Sequence, residues 1–167
     1  MRLFAGMEVF VFRVIVLTFM AQMANADAYS SAQRALENLK QNCYPDINAE
    51  SLVVPQISIE AVFTKVLIGN NESTEAFIVN PERLTCGGES AGLCGSRGCD
   101  IEIFAGTERF SYIGWQPQVL SIDNSNFLLL PHQGWVCGQG PNSDPCFSVL
   151  FWSDFEKKFV YRYGNVE

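Results

Sequence analysis

Residues 93–112 read LCGSRGCDIEIFAGTERFSY. Two cysteines bracket a Gly-Ser-Arg-Gly tetrapeptide, and a segment follows in which Ile101 and Ile103 alternate with Asp100 and Glu102. A period of two sends alternate side chains to opposite faces of a strand. Ala105-Gly106-Thr107-Glu108 then reverses the chain, and Phe110-Ser111-Tyr112 returns beside it. The stretch therefore predicts an antiparallel hairpin entered through a cysteine-bounded loop.

The same grammar recurs on both sides of it. Ile57 to Leu67 is rich in β-branched and aromatic residues, Gly69-Asn70-Asn71 supplies a turn, and Ala76 to Val79 returns before Asn80-Pro81. Gln118 to Ile122 pairs with Phe127 to Leu130 through Asp123-Asn124-Ser125-Asn126, and Phe147 to Trp152 turns at Ser153-Asp154 to come back as Lys158 to Tyr163. About eight short strands at near-regular spacing predict a mainly β fold, an antiparallel meander, sandwich or barrel, rather than a parallel α/β sheet. One helix precedes them. From Ala28 to Cys43 the apolar residues Ala32, Ala35, Leu36 and Leu39 fall at helical spacing, Ser30 with Gln33 predicts a capping box, and Pro45 ends the segment. A helix this short must lay its apolar stripe on something, because alone it is marginal in water.

The chain has 167 residues, the size of one ordinary domain. Its first 26 residues carry Arg2 and Arg13, an apolar run from Val14 to Ala21, and Ala24-Asn25-Ala26. That order predicts a secretory signal peptide over 1–26, with Met1 or Met7 as start, and a single disulfide-stapled β domain over 27–167. A membrane span would need roughly 20 apolar residues, and Arg13 interrupts the run. Loss of Arg2, Glu8 and Arg13 with the leader takes the formal charge from −7 to −8. An acidic chain without a Lys/Arg cluster argues against a nucleic-acid partner, and membrane contact is expected only through the leader before cleavage. Periplasmic or secreted localisation follows.

Cys43, Cys86, Cys94, Cys99, Cys137 and Cys146 all lie beyond the leader, and an even number in an exported chain predicts disulfides. Redox chemistry of the thioredoxin type needs closer cysteines at a helix start. A zinc knuckle needs different spacing and more than the one histidine present. Cys94-Gly95, a small-residue loop and Cys99 lead into a strand, a turn and an aromatic return; Cys137-Gly138, a longer loop and Cys146 lead into the same succession. The echo predicts Cys94 with Cys99 and Cys137 with Cys146, leaving Cys43 with Cys86. A competing set joins Cys86 to Cys94 and Cys43 to Cys99.

Nothing in the sequence signals a catalytic residue, cofactor site or metal site. His132 has no nucleophile or orienting acid nearby in the chain. Asp100 and Glu102 share a strand face about 7 Å apart, close to a glycosidase separation, yet they occupy the polar side of an alternating strand. Gly69 to Glu75 holds oxygen ligands but lacks the acid spacing of a calcium loop. Trp115, Trp135 and Trp152 enrich the C-terminal half in aromatics, which fill β cores or form binding platforms. Trp115, Trp135 and His132 are the candidate binding surface.

Phe77-Ile78-Val79-Asn80, Cys86, Leu93-Cys94-Gly95-Ser96-x-Gly98-Cys99, His132-x-Gly134-x-x-Cys137-Gly138, Cys146 and Leu150-x-Trp152 together resemble a group of small exported cysteine-containing proteins common in α-proteobacteria. The resemblance covers roughly the last ninety residues and rests on cysteine, glycine and tryptophan spacing. It implies a periplasmic location and supplies no catalytic residues. Members often carry an Asp-rich turn before the first cysteine; here Gly69 to Glu75 lacks those acids. The expected role is an exported, non-enzymatic binding or structural module of the cell envelope that presents stapled loops to a protein or glycan. Two alternatives are an inhibitor of a basic wall hydrolase such as lysozyme, and a carbohydrate hydrolase using Asp100, Glu102 or Asp123.

Overall fold

The computed structural model describes residues 26–41, 62–86, 89–90, 92–137 and 146–163. The predicted leader up to residue 25, Cys43 and the first part of the Ile57 strand lie outside the described residues, as do the side chains of Cys86, Trp135 and Cys137. Helix α1 spans residues 26–41. In chain order come β1 (Phe63–Asn70), β2 (Thr74–Val79), the short pair β3 (Thr85–Cys86) and β4 (Glu89–Ser90), β5 (Cys99–Ala105), β6 (Glu108–Gly114), β7 (Gln118–Ile122), β8 (Ser125–His132), β9 (Cys146–Ser153) and β10 (Lys158–Tyr163). Eight of them form one antiparallel sheet, ordered β10-β9-β8-β1-β2-β5-β6 with β7 on β8, curled into a nearly closed barrel. The expected mainly β architecture is present.

The four hairpins expected from alternation form in the expected places, and their registers put all four turns at one end of the barrel. Ala76 pairs with Ala105, so the β1–β2 and β5–β6 turns lie together. Asn70 pairs with Ser125, which brings the β7–β8 turn to the same end, and Leu128 with Leu150 adds the β9–β10 turn. These turns use backbone that few residue types accept. Asn71 and Glu72 have φ of 53° and 54°, Asp123 and Asn124 of 46° and 61°, and Gly106 of 56°. Because Asp and Asn tolerate the left-handed region, the third hairpin closes in two residues. The four-residue connection expected there shrinks accordingly, and Ser125 and Asn126 join β8.

Two apolar layers hold the fold. Inside the barrel, Ile68, Ile78, Ile101, Ile103, Leu128, Leu130 and Leu150 pack with Trp152. On the outer face of the front sheet (β1, β2, β5, β6), Phe77, Val79 and Phe104 pack against Ala28, Ala32 and Leu36 of α1. β2 is thus buried on both faces, which is why Ala76 to Val79 reads as a continuous apolar run rather than an alternation. The capping box does not form. The helix is already under way at residue 26, so Ser30 lies within it and its hydroxyl donates to the Asp27 carbonyl at 3.0 Å, while Gln33 Nε2 donates to the Tyr29 hydroxyl at 2.6 Å.

At the opposite end from the turns, β6 runs against β8 just past the point where the β7 ladder stops at Leu129. There the Trp115 N–H donates to the Pro131 carbonyl at 3.2 Å. A Cβ on Gly114 would run into that same carbonyl oxygen, so only glycine permits the approach.

Candidate binding groove

Helix α1 lies across the front sheet but leaves a groove of about 630 Å³ between its polar edge and the β5–β6 hairpin. Phe104, Leu93 and Leu39 give it an apolar floor, while Arg34 stands on the helix side and Asp100 and Glu102 on the strand side. Such a volume, apolar at the base with a few polar groups at the rim, is typical of small-ligand and peptide sites. Local structure places each group. Ser31, Arg34 and Asn38 fall on one helix edge by their spacing of three and four, and Asp100 and Glu102 share the outer face of β5 because Ile101 and Ile103 point into the barrel.

The charges are not equivalent. Arg109, one strand away on β6, forms an ion pair with Glu102, whereas Asp100 and Glu108 have no ion-pair partner among the described residues. The Arg34 guanidinium donates to Ser31 Oγ at 3.1 Å, which orients it along the helix edge. The Cys94–Cys99 disulfide, with its Cα atoms 4.4 Å apart, stands beside the groove. Leu93 and Asp100 flank the two cysteines and both line it. Gly95 and Gly98 exchange backbone hydrogen bonds of 3.0 Å within the closed loop. The opening tetrapeptide is therefore a stapled turn that fixes one wall. Cys146 is also disulfide-bonded, to a cysteine whose side chain lies outside the described residues.

His132 is not a surface residue. It ends β8, 2 % exposed, inside the barrel. Its Nδ1 lies 3.2 Å from the Ile113 carbonyl, which can only accept, so Nδ1 carries the proton and Nε2 accepts from Ser148 Oγ at 2.6 Å. The Tyr161 hydroxyl stands 3.4 Å from the same nitrogen, and the Tyr112 ring meets the imidazole edge-on at 5.2 Å. A Ser–His pair of this geometry resembles an activated nucleophile, but Ser148 is fully buried. Burial lowers the His132 pKa against a smaller opposing pull from the Ile113 carbonyl, and raises that of Tyr112, whose hydroxyl donates to the Trp115 carbonyl.

No protein-family model, curated protein or solved structure matches the chain. The site must be read from its own chemistry. Of the candidate surface, Trp115 is half-buried with both backbone polar groups engaged, His132 is interior, and the Trp135 side chain lies outside the described residues. Trp152 fills the barrel. Of the three carboxylates considered for hydrolysis, Asp100 and Glu102 stand side by side in the groove, with Glu102 held by Arg109, while Asp123 sits in the β7–β8 turn. Among the described residues no cluster of His, Cys, Asp and Glu could hold a metal ion, and no helix is long and apolar enough to cross a membrane. Arg34 was not signalled in the sequence. Its position on the polar edge of a helix whose other edge is Ala32 and Leu36 is the cue that could have found it.

Proposed function

We propose that the chain is an exported, non-enzymatic binding module of the cell envelope that takes a segment of a protein or a glycan in the groove between α1 and the β5–β6 hairpin. The observation that carries the proposal is the coupling of that groove to the staple. The Cys94–Cys99 loop holds Leu93 and Asp100 in place before any ligand arrives, which lowers the ordering entropy lost on binding. Aromatic and aliphatic floor residues give affinity, and Arg34 and Asp100 on opposite walls read charge of both signs.

The test is capture from envelope extract by the immobilised oxidised chain, run beside Arg34→Glu and Asp100→Lys. Both side chains are exposed, so the variants should melt like the parent while losing the captured species. A captured set that is identical for parent and variants would remove the groove from the function. A second reading, an inhibitor of a cationic wall hydrolase, is favoured by the free carboxylates of Asp100 and Glu108 in an acidic chain. It requires inhibition of lysozyme that weakens with added salt; no inhibition at low salt would eliminate it.

A further inference from the structure

On the apolar outer face of the back sheet (β7, β8, β9, β10), at the end where the four turns gather, lies a second recess. It shares no lining residue with the α1 groove. It measures about 320 Å³ and opens between the end of β1, the start of β8 and the β9–β10 turn. One wall is aromatic. Phe127 and Phe151 meet edge-on at 6.3 Å, and Phe155 stands at the rim, 96 % exposed. The other wall is polar, made by Asn70, Ser125, Ser153 and Asp154. Hydrogen bonds fix both walls. Asp154 accepts from the Asn70 N–H at 3.0 Å and from Ser73 Oγ at 2.8 Å, which ties the β9–β10 turn to the β1–β2 turn. The Lys157 N–H donates to the Ser153 carbonyl at 2.8 Å and the Glu156 N–H to Ser153 Oγ at 3.2 Å, closing the turn on itself. Phe155 is therefore held out in water by a fixed turn, where its ring adds nothing to the core.

We propose that this recess binds one neutral pyranose ring of a glycan. The hydrogen-bonding capacity left over in the polar wall decides the ligand class. Asn70 Oδ1 is taken by Ser125 Oγ at 2.8 Å, so the Asn70 amide still offers its two N–H donors. Ser153 Oγ accepts from Glu156, which leaves its O–H to donate. The Asp154 carboxylate has met two donors and can take more, and Ser125 Oγ, having donated, can accept. Donors and acceptors thus stand side by side. Hydroxyl groups, each both donor and acceptor, satisfy such a set completely. An ammonium would use the acceptors alone; a phosphate or carboxylate would use the donors alone and meet the charge of Asp154. That charge has no ion-pair partner among the described residues, so it turns acidic sugars away. The aromatic wall suits the other side of the same ligand. The C–H face of a pyranose is slightly positive and lies on the electron-rich face of an aromatic ring such as Phe155. Size agrees, since about 150 Å³ admits benzene and about 320 Å³ admits one six-membered ring with its hydroxyls. A site this small and open holds a single sugar with dissociation in the millimolar range. The proposal stands apart from the α1 groove, which lies on the opposite sheet.

Titration of the full oxidised chain with methyl β-glucopyranoside, methyl α-mannopyranoside and N-acetylglucosamine, followed by amide chemical shifts, tests this. At least one should give saturable shifts at Asn70 and at Ser153 to Lys157. Phe155→Ala, which removes an exposed side chain and should leave the melting temperature unchanged, should weaken that binding by about tenfold or more. Asn70→Asp, which keeps the oxygen that Ser125 meets and removes both free donors, should weaken it as well. No saturable shift with any of the three sugars overturns the proposal, as does binding indifferent to Phe155→Ala. Choline and glucuronate serve as charged probes. Saturation of the same amides by either one, with the neutral sugars silent, assigns the recess to an ion and also overturns the proposal. Shifts confined to Arg34, Asp100 and their neighbours place the sugar in the α1 groove, which overturns this inference while leaving the groove reading intact.

Discussion

His132 and Ser148 show what one buried polar pair does to the behaviour of the chain. A neutral imidazole has one donor and one acceptor, and both are used, the first by the Ile113 carbonyl and the second by the Ser148 hydroxyl. A second proton on Nε2 would set a charge inside the barrel facing the ring of Tyr112 and the hydroxyls of Ser148 and Tyr161, with no carboxylate hydrogen-bonded to the ring among the described residues. The folded pKa is therefore below the unfolded value of about 6.5. Below that pH the unfolded chain binds a proton that the folded chain refuses, so stability should be full above about pH 6.5 and decline as pH falls towards the folded pKa, by up to about 1.4 kcal/mol per unit. As the chain has one histidine, urea unfolding at a series of pH values should show this slope in the parent and lose it in His132→Gln. An equal slope in the variant would mean that other groups set it. The sequence offered His132 as part of a binding surface, whereas the structure buries it at the end of β8. Its burial was hidden because Ser148, which lets the ring lie inside, is on the next strand and only the β8–β9 register brings the two together.

Elements show how far periodicity reaches. Alternation marked β5, β6, β9 and β10 because each has one face in the barrel, and helical spacing marked α1 through Ala32, Ala35, Leu36 and Leu39. Asp100 and Glu102 point outward by the same alternation, and Asp100 is exposed as that predicts. Here outward means the groove, because α1 lies over that sheet. The helix is thus both a cover for Phe77 and Phe104 and one wall of the site. Leu36, almost fully buried between them, gives the check: Leu36→Ala should cost about 2–4 kcal/mol by the usual loss for a buried leucine, read from denaturant midpoints. A cost below about 1 kcal/mol would mean that the helix is only loosely seated. Removal of the Cys94–Cys99 bridge by alanine substitution should cost about 2 kcal/mol, the chain-entropy value for so short a loop, while the barrel stays folded; unfolding of the variant would instead make that staple a condition of the fold.

Across the barrel, protection against hydrogen exchange should follow the layering. β2 is covered inside by the barrel core and outside by α1, so its amides should exchange only on global unfolding. β7, every residue of which is exposed and which has one neighbouring strand, should open locally and exchange first. Equal protection in β7 at low concentration would contradict the layering described. The same contrast separates two opposed surfaces, a groove with charged walls on the front sheet and an apolar face on the back.

Local pattern was enough for the element types, the four hairpins and the helix with its apolar stripe, because each depends on residues close together in the chain, while of the two cysteine sets the sequence left open the structure holds the one with Cys94–Cys99. Leader-like residues likewise lie in one run, and the exported location expected from them remains part of the proposal. The groove and the buried His132–Ser148 pair depend on which strand lies beside which and on where α1 settles. Those are long-range packing choices, made by burying apolar area rather than by any local preference, and so they became legible only once the barrel was closed.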